Sequence, residues 1–260
     1  MKIAIYGSSG FGREVLPLFR SSRQAQGDHT GDIVFVDDNP AMQGQVLNGA
    51  RIISFDQAVA EGRRFSLAIA NSLVRQQLAE KCAAAGAKFA SIFAMDAETY
   101  DDVEMAEGAI VCGRSLLTSN IRIGKHFHCN IFSYVAHDCV IGDYVTFGPR
   151  VNCNGNVVIE DHAYIGTGAF LKQGSPDKPL RIGRGAVIGM GAVVTADVPL
   201  GVTVVGNPAR PLQPKEPSEL WKVVPKLKTG KAGTAAPKGV DMPIALKDAK
   251  RIRTGSKARA

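Results

Sequence analysis

A six-residue repeat fills the middle of this 260-residue chain and limits the folds open to it more than any other feature. The first position of every hexad from Val111 onward is apolar, and the fifth position never carries a charge. The repeat pauses only for five inserted residues, Asp177–Arg181, and resumes at Ile182. The fifteen first positions are Val111, Leu117, Ile123, Cys129, Val135, Ile141, Phe147, Cys153, Ile159, Ile165, Leu171, Ile182, Ile188, Val194 and Leu200.

The spacing of this repeat predicts a parallel β-helix. Each face of a triangular coil takes six residues, so that about eighteen residues complete one turn. Large side chains at the first position and small ones at the fifth then stack inside, and glycines at the second position suit tight corners. The known families of hexapeptide solenoids are left-handed and usually form trimers through their flat faces. By similarity to them, we predict a left-handed β-helix over residues 105–212. The insertion is expected to form an extruded loop.

Residues 1–95 alternate between strand-like and helix-like segments, which predicts a small parallel sheet covered by helices, a Rossmann-like domain. The glycine-rich loop Gly7–Gly12 follows the first strand, where a backbone can approach a phosphate and the next helix presents free N–H groups. Its pattern is G-x-x-G-x-G and not the dinucleotide pattern G-x-G-x-x-G. The predicted strands are Lys2–Tyr6, Ile33–Val36, Phe65–Ala70 and Ala87–Ile92, and the predicted helices are Arg13–Arg20 and Leu73–Ala85.

The formal net charge of +7 invites a nucleic-acid hypothesis, but its distribution argues against one. Residues 213–260 hold twelve basic and four acidic residues, a net +8, which leaves −1 on residues 1–212. This segment is rich in Lys, Ala, Gly and Pro, which predicts a basic, disordered tail with a short helix near Trp221. We expect no nucleic-acid partner; an anionic membrane surface is the alternative partner for the tail.

The cysteines and the apolar runs indicate a cytoplasmic protein. The apolar runs are too short to span a bilayer, and the first residues do not resemble a secretory signal. Five cysteines, an odd number, argue against a disulfide framework and for a reducing compartment. Cys129, Cys139 and Cys153 fall on inward positions, where cysteine acts as a small apolar residue, so an acyl-cysteine mechanism is not expected.

His137 is the strongest candidate for chemistry on the repeat. It takes the outward third position of its hexad, and Asp138 follows it. An imidazole can take a proton from an attacking amine near neutral pH, while a carboxylate orients the ring and stabilises its charged form. One coil away lie Ser119 and Gly155, which leave open space for a thioester arm. The polar ladder beside the ring comprises Asn120, Asp138 and Asn156. A solvent-exposed or interface histidine is the alternative interpretation.

Three further histidines suggest a zinc site, but their spacing argues against it. His126 and His162 lie two coils apart, a spacing that gamma-type carbonic anhydrases use for zinc. The third ligand would fall at Thr167, a poor zinc ligand, and His128 breaks the spacing. We therefore predict no metal site and expect the three histidines at the surface or at a subunit interface.

Four segments together resemble those of bacterial nucleotide-sugar N-acetyltransferases. They are the loop Gly7–Val15, the pair Asp37–Asp38, the segment Ala136–Gly142 and the closing segment Gly206–Arg210. The family includes enzymes that acetylate UDP-4-amino sugars on the way to bacillosamine, GDP-perosamine acetyltransferases and sialic acid O-acetyltransferase-like proteins. The resemblance covers residues 1–212. It implies a homotrimeric enzyme that moves an acetyl group from acetyl-CoA to the amine of a nucleotide-linked amino sugar.

The resemblance also implies the residues of the site. His137 is the expected general base, oriented by Asp138. The expected substrate-binding residues are Gly10, Gly12, Arg13, Asp37, Asp38 and Asn71. The expected acetyl-CoA-binding residues, in a groove between two prisms, are Gly155, Thr167, Gly191 and Arg210. Two interpretations without a ligand stay open. A tight turn with a solvated acidic pair would account for the N-terminal loop, and corner geometry alone would account for the glycines of the expected acetyl-CoA site.

Two other functions stay open on the sequence. An enzyme of the same fold, with the same donor, would acetylate a sugar hydroxyl in place of an amine. A non-catalytic nucleotide-binding scaffold would bind the nucleotide without binding acetyl-CoA.

Overall fold

The computed structural model describes residues 1–212 except residue 26 and residues 28–31. The predictions for residues 213–260, a disordered basic tail with a helix near Trp221, lie outside the described residues. In the described part of the chain, no helix has the length and apolar character needed to cross a membrane. The N-terminal elements are β1 (Ile3–Tyr6), α1 (Gly10–Ala25), β2 (Ile33–Val36), β3 (Val46–Leu47), β4 (Ala50–Ile53), α2 (Phe55–Ala60), β5 (Arg64–Leu67) and α3 (Ser72–Ala84).

Strand β1 lies inside a five-stranded sheet of order β3-β4-β2-β1-β5, as expected for a Rossmann-like domain. Strands β1, β2, β4 and β5 pair in parallel, whereas β3 and β4 form an antiparallel hairpin. Ile3 and Ile5 pack against α1, while Ala4 and Tyr6 pack in the core of the opposite face with residues of α2 and α3. Because both faces are buried, the strands read as continuous apolar runs without alternation.

Two predicted elements have different ends in the structure. Helix α1 extends beyond Arg13–Arg20 at both ends, and Pro17 lies inside it without ending it. The helix continues past this proline because its apolar face is buried against the sheet. Strand β5 ends at Leu67 and not at Ala70, since the chain turns there toward Asn71, which caps α3.

The predicted strand Ala87–Ile92 does not form in the N-terminal sheet. Phe89 makes one isolated bridge to Phe65, and Ile92–Phe93 already pairs with the solenoid. Strands β3 and β4 and helix α2 have no counterpart among the predicted elements. A start signal for α2 is present, because Ser54 accepts a hydrogen bond from the backbone N–H of Gln57 as an N-cap.

The solenoid is a parallel β-helix of three sheets, as predicted. Its strands are β6 (Ile92–Phe93), β7 (Glu98–Thr99), β8 (Val103–Met105), β9 (Ile110–Val111), β10 (Leu116–Leu117), β11 (Ile121–Ile123), β12 (His128–Cys129), β13 (Tyr134–Val135), β14 (Val140–Ile141), β15 (Thr146–Phe147), β16 (Asn152–Cys153), β17 (Val157–Ile159), β18 (Tyr164–Ile165), β19 (Phe170–Leu171), β20 (Leu180–Ile182), β21 (Val187–Ile188), β22 (Val193–Val194), β23 (Thr203–Val205) and β24 (Arg210–Pro211). The first of them, β6, lies inside the segment that the sequence assigns to the first domain.

We call the three sheets faces. Face I contains β6, β9, β12, β15, β18, β21, β23 and β24; face II contains β7, β10, β13, β16, β19 and β22; face III contains β8, β11, β14, β17 and β20. Neighbouring strands within each face are parallel, apart from the antiparallel pair β23 and β24. The chain therefore passes from face I to face II to face III in every coil.

The register confirms an eighteen-residue coil. Val135 pairs with Leu117 in the coil before and with Cys153 in the coil after. Of the fifteen predicted inward residues, fourteen are buried in the core of the prism. Leu200 is the exception, with 75% of its surface exposed. The prediction is wrong there because the last coil is short: Val187 pairs with Thr203, which leaves Leu200 in a turn.

The tight corners lie at the fourth position of the hexad, not at the second. Nine successive hexads, from Arg114 to His162, place a non-glycine residue there with φ between +53° and +61°. The second-position glycines serve a different purpose. A Cβ on Gly142 would lie 2.7 Å from the backbone nitrogen of Asp161, so glycine there permits the close approach of the next coil.

The predicted insertion forms a loop, with shifted bounds. Strand β17 pairs with β20 in a register that matches Val157 with Leu180, which is five residues longer than the regular coil. The extra residues leave the prism before Leu180, in a turn where Ser175 and Lys178 exchange backbone hydrogen bonds of 3.0 and 3.1 Å. The last two residues of Asp177–Arg181 belong to β20.

Arg75 of α3 joins the N-terminal domain to the solenoid. Its side chain is fully buried. Nη1 donates to the carbonyl of Ile69 at 2.6 Å, and Nη2 donates to the carbonyl of Tyr144 at 2.6 Å and to Oγ1 of Thr146 at 3.0 Å. No carboxylate among the described residues pairs with it, and burial lowers its pKa to about 9. Nη1 and Nη2 thus replace their hydrating water with oxygens of both domains, whereas Nε has no hydrogen-bond partner among the described residues.

Arg75→Ala should lower the free energy of unfolding by about 3 kcal/mol. The change leaves buried carbonyl groups without a donor and opens a cavity between the domains. Urea denaturation of the full chain measures the effect. Lys88→Ala is the control, because this exposed side chain should change stability by less than about 0.5 kcal/mol. Equal stabilities of the two variants would contradict the role given to Arg75.

Candidate active site

His137 and Asp138 lie on the corner between faces II and III, which we call edge II/III. Nδ1 of His137 is 2.7 Å from Oδ2 of Asp138, and the two side chains are 47% and 46% exposed. Since a carboxylate accepts, Nδ1 carries the proton of this hydrogen bond. Nε2 is then the acceptor nitrogen of the neutral ring, and a base is available at a solvent-accessible corner.

Asn120 lies one coil before Asp138 on the same edge, as the predicted polar ladder requires. Its Nδ2 donates to Oδ1 of Asp138 at 3.2 Å. The hydrogen bond from His137, followed by the one from Asn120, lowers the pKa of the Asp138 carboxyl. The third rung, Asn156, contributes its backbone N–H, which donates to the carbonyl of His137 at 3.0 Å.

Gly155, one coil after His137, makes room for the imidazole ring. A Cβ at Gly155 would lie 2.5 Å from Cε1 and 2.6 Å from Nε2 of His137. The space that the sequence assigns to a thioester arm is therefore filled by the ring itself. Any side chain at position 155 would push the ring out of its place against the prism.

The cysteines near this edge are interior residues, as predicted. Cys129, Cys139 and Cys153 are fully buried. Sγ of Cys139 lies 3.2 Å from the carbonyl oxygen of Asn154. Burial raises the pKa of the Cys129 thiol to about 12, so this group stays protonated at neutral pH.

The glycine-rich loop lies at the carboxyl edge of the N-terminal sheet. Strands β2 and β5 flank β1 on opposite sides, and parallel sheets bind ligands where the strand order reverses in this way. Ser8 donates a hydrogen bond to the carboxylate of Asp37. A Cβ on Gly10 would meet open space, whereas one on Gly12 would collide with the carbonyl of Gly7. Gly12 therefore brings α1 close to the end of β1.

The structure separates the two predicted acidic residues. Asp37 faces the loop, whereas Asp38 turns toward α3. The hydroxyl of Tyr6 lies 2.7 Å from Oδ2 of Asp38, and Nζ of Lys81 lies 3.1 Å from Oδ1. Nζ of Lys81 also lies 4.3 Å from the ring centroid of Phe55. Asp38 thus belongs to a network that fixes α3 beside the sheet, and Asp37 is the acidic group beside the loop.

Asn71 and Arg13 occupy two helix starts at this edge of the sheet. Oδ1 of Asn71 caps α3 by accepting from the backbone N–H groups of Leu73 and Val74, both at 3.1 Å. Asn71 also lines a cleft of about 310 Å³ against the solenoid, opposite residues that include His162. Arg13 is exposed in the first turn of α1.

The four residues expected to bind acetyl-CoA do not come together within one chain. Gly155 lies on edge II/III with His137. Thr167 and Gly191 lie on the corner between faces I and II, which we call edge I/II, and Arg210 lies on β24 of face I. With φ at +66°, Gly191 occupies the fourth-position corner.

The surface position expected for the remaining histidines is wrong for two of them. His126 and His128 are each 1% exposed, because the N-terminal domain covers them. Nε2 of His128 is 2.9 Å from the carbonyl oxygen of Leu67. The ring of His126 stacks on Tyr144, which stacks in turn on His162, at centroid distances of 5.3 and 5.2 Å. Burial lowers the pKa of His126 to about 4, so its ring is neutral at pH 7.

Sequence reasoning missed Arg75 and Lys81, which support the site from α3. An arginine or lysine in a helix normally indicates a solvated face, and nothing in the local pattern marks these two as buried or networked. It also missed Ser8, although this hydroxyl lies inside the glycine-rich loop.

Comparison with known proteins relates both halves of the chain to acetyltransferases. The family described as the PglD N-terminal domain matches residues 2–82. A GDP-perosamine N-acetyltransferase from Escherichia coli O157:H7 is 45% identical over 212 residues, which are 80% of this chain and 95% of that protein.

Two solved structures share the fold of both domains. WeeI from Acinetobacter baumannii AYE is 52% identical, with a TM-score of 0.77, over 82% of this chain and 100% of that one. The acetyltransferase domain of PglB from Neisseria gonorrhoeae FA1090, solved in complex with acetyl coenzyme A, is 31% identical. Its TM-score is 0.70, over 81% of this chain and 98% of that one.

Proposed function

The chain belongs to the family of bacterial nucleotide-sugar N-acetyltransferases, and we propose that its own acceptor is perosamine linked to GDP. It transfers an acetyl group from acetyl-CoA to the amine of a nucleotide-linked amino sugar. The choice of acceptor rests on one observation, the 45% identity to a GDP-perosamine N-acetyltransferase across 95% of that protein.

His137 acts as the general base in this proposal. The amine nitrogen attacks the thioester carbonyl carbon and passes its proton to Nε2 of His137. The tetrahedral intermediate then collapses, the C–S bond breaks, and the imidazolium returns the proton to the departing thiolate. Asp138, 2.7 Å from Nδ1, stabilises the imidazolium while the proton is held there.

We place the donor along edge II/III. A cleft of about 480 Å³ on this edge is lined by Lys172, Gln173, Lys178 and Asp197, among others. Gln173 lies two coils beyond His137, which is roughly 10 Å at the usual strand spacing. Lys172 and Lys178 have no ion-pair partner among the described residues, and such ammonium groups suit the phosphates of a coenzyme.

The acceptor's nucleotide is proposed to lie at the carboxyl edge of the N-terminal sheet. Gly10 leaves an open surface there, Arg13 is an exposed cation in the same turn of α1, and Asp37 is a hydrogen-bond acceptor next to Ser8. The cleft beside Asn71 lies at the corner between faces III and I, away from edge II/III, so the sugar is proposed to reach His137 of a neighbouring subunit in the trimer. Gly12 and Asp38 act indirectly in this arrangement, through helix packing and through the Tyr6–Lys81 network.

We propose that the prism is left-handed and assembles as a homotrimer through face II and edge I/II. Large apolar side chains are exposed there. They are Ile131, Phe132, Phe170 and Met190, exposed by 44% to 78%. Exposed large apolar side chains of this kind favour association. Contact across face II brings Thr167 and Gly191 of one subunit toward His137 of its neighbour.

A cytoplasmic location is part of the proposal. The five cysteines are all free and buried, which suits a reducing compartment.

The net charge of −1 on residues 1–212 supports a small-molecule acceptor and no nucleic acid.

Among GDP-, UDP- and dTDP-linked 4-amino sugars, GDP-perosamine should give the highest kcat/KM. Release of CoA thiol measures transfer, and mass spectrometry of the product locates the acetyl group. The matched control is the same GDP sugar with a hydroxyl in place of the amine, which should not react. A UDP-linked amino sugar that reacts faster would reassign the acceptor. Acetylation of the hydroxyl compound would favour an O-acetyltransferase.

His137→Ala should lower kcat by about 10²–10⁴-fold, the usual contribution of a general base. Acetyl-CoA binding, followed by calorimetry, should stay within about twofold, because the change removes a proton acceptor without altering the donor cleft. Lys125→Ala, an exposed change on another edge, serves as the control and should retain activity. A His137→Ala variant with a normal rate would remove this residue from the mechanism.

Gly155→Ala should lower kcat by at least about tenfold with little loss of stability. The new methyl group would lie 2.5 Å from the His137 ring, and the half-exposed ring can swing outward to relieve the contact. Gly201→Ala is the control. Its φ of +68° imposes backbone strain, but nothing lies near a Cβ there, so this variant should keep its kcat. If Gly155→Ala lost stability and kept its kcat, the ring would not depend on this glycine.

A further inference from the structure

We propose that Asn120 is a positioning residue for the acetyl transfer and acts through Asp138 on His137. The inference rests on the proposed role of His137 as the base. Three side chains form a continuous line of hydrogen bonds along edge II/III. Nδ2 of Asn120 donates to one oxygen of Asp138 at 3.2 Å, and the other oxygen accepts from Nδ1 of His137 at 2.7 Å.

The backbone sets the spacing between Asn120 and Asp138. Asn120 and Asp138 both occupy fourth-position corners, with φ of +57° and +59°. The backbone N–H of Asp138 donates to the carbonyl of Ser119 at 3.1 Å, which keeps the coils at strand spacing. Asparagine combines tolerance of this left-handed conformation with a side-chain N–H donor. The corner geometry thus directs the side-chain amide of Asn120 toward Asp138 in the next coil.

Asp138 needs such an anchor because it is 46% exposed. A carboxylate in water can rotate away from a single partner and bind solvent instead. The amide of Asn120 takes one oxygen and leaves the other directed at His137. Because both partners donate, the carboxylate stays ionised and Nδ1 keeps its proton, which leaves Nε2 free to accept one.

The type of residue at position 120 matters as much as its place. A carboxylate there would repel Asp138, and an ammonium group would compete with His137 for the same carboxylate. A neutral donor orients Asp138 without changing the local net charge. This is the property expected of a residue that positions a base and takes no proton itself.

Asn120→Ala should lower kcat about tenfold, while KM for both substrates stays within about twofold. A single hydrogen bond to a charged group contributes about this much. Asn120→Gly removes the same amide at a residue that adopts positive φ without strain, and should give the same loss. Asp102→Ala is the matched control. It is a left-handed corner residue one coil earlier on this edge, bonded to Arg122, and it should keep the wild-type rate.

A double-mutant cycle with Asp138→Ala tests whether Asn120 acts through Asp138. Asn120→Ala in the Asp138→Ala background should cause no further loss of kcat, because the group it orients is gone. If the double variant instead lost kcat by the product of the two single losses, the proposal would be overturned. A normal rate for both Asn120 variants would also overturn it. A His137→Ala enzyme with full activity would instead contradict the proposed base, and the two failures are therefore distinguishable.

The pH dependence of kcat/KM supplies a readout that a purely structural role would not move. In Asn120→Ala the acid limb should shift to lower pH, because a less well directed carboxylate stabilises the imidazolium less. In Asn120→Asp it should shift to higher pH, because a second carboxylate favours the protonated ring. Unchanged limbs in both variants would contradict the inference.

Discussion

Stacked coils in the prism bring together residues that lie far apart in the chain. Large side chains at the first hexad position fill the interior, and parallel pairing such as Val135 with Leu117 and Cys153 places residues eighteen positions apart as direct neighbours. Side chains that share a corner therefore contact one another from coil to coil. The line from Asn120 to Asp138 to His137, and the contact of His137 with Gly155, both follow from this spacing.

The second determinant is the joint between the domains, where a buried arginine has only neutral partners. Arg75 donates to carbonyl oxygens on both sides, which offsets the loss of its hydration shell. With a pKa of about 9 it is still charged at neutral pH. The histidines packed beside it are neutral there, since burial and the charge of Arg75 lower the pKa of both His126 and His128. The joint thus avoids adjacent buried like charges while it holds the cleft beside Asn71 against the solenoid.

Sequence reasoning identified the pattern of the solenoid and the His137–Asp138 pair but placed the corners wrongly. The apolar period is visible in the sequence because every coil must fill the same interior. The corner conformation is not visible there, since residues as different as Arg114, Phe132 and His162 adopt the same positive φ. Hydrogen bonds between coils compensate for the strain at these positions, and a local propensity cannot reveal them. The role of glycine was misassigned for the same reason: the clash it avoids comes from the next coil.

Side-chain patterns along the chain are enough to specify the eighteen-residue coil, the parallel sheet that precedes it and the outward position of His137, because each depends on a local or periodic pattern. Which groups come into contact depends on the packing of the folded chain. This packing turned Asp38 toward Lys81 and left Asp37 by the loop, buried His126 and His128 under the N-terminal domain, and separated Thr167 and Gly191 from the edge of His137. Those outcomes depend on how the domains pack and how the three faces close, which are contacts between residues far apart in the chain.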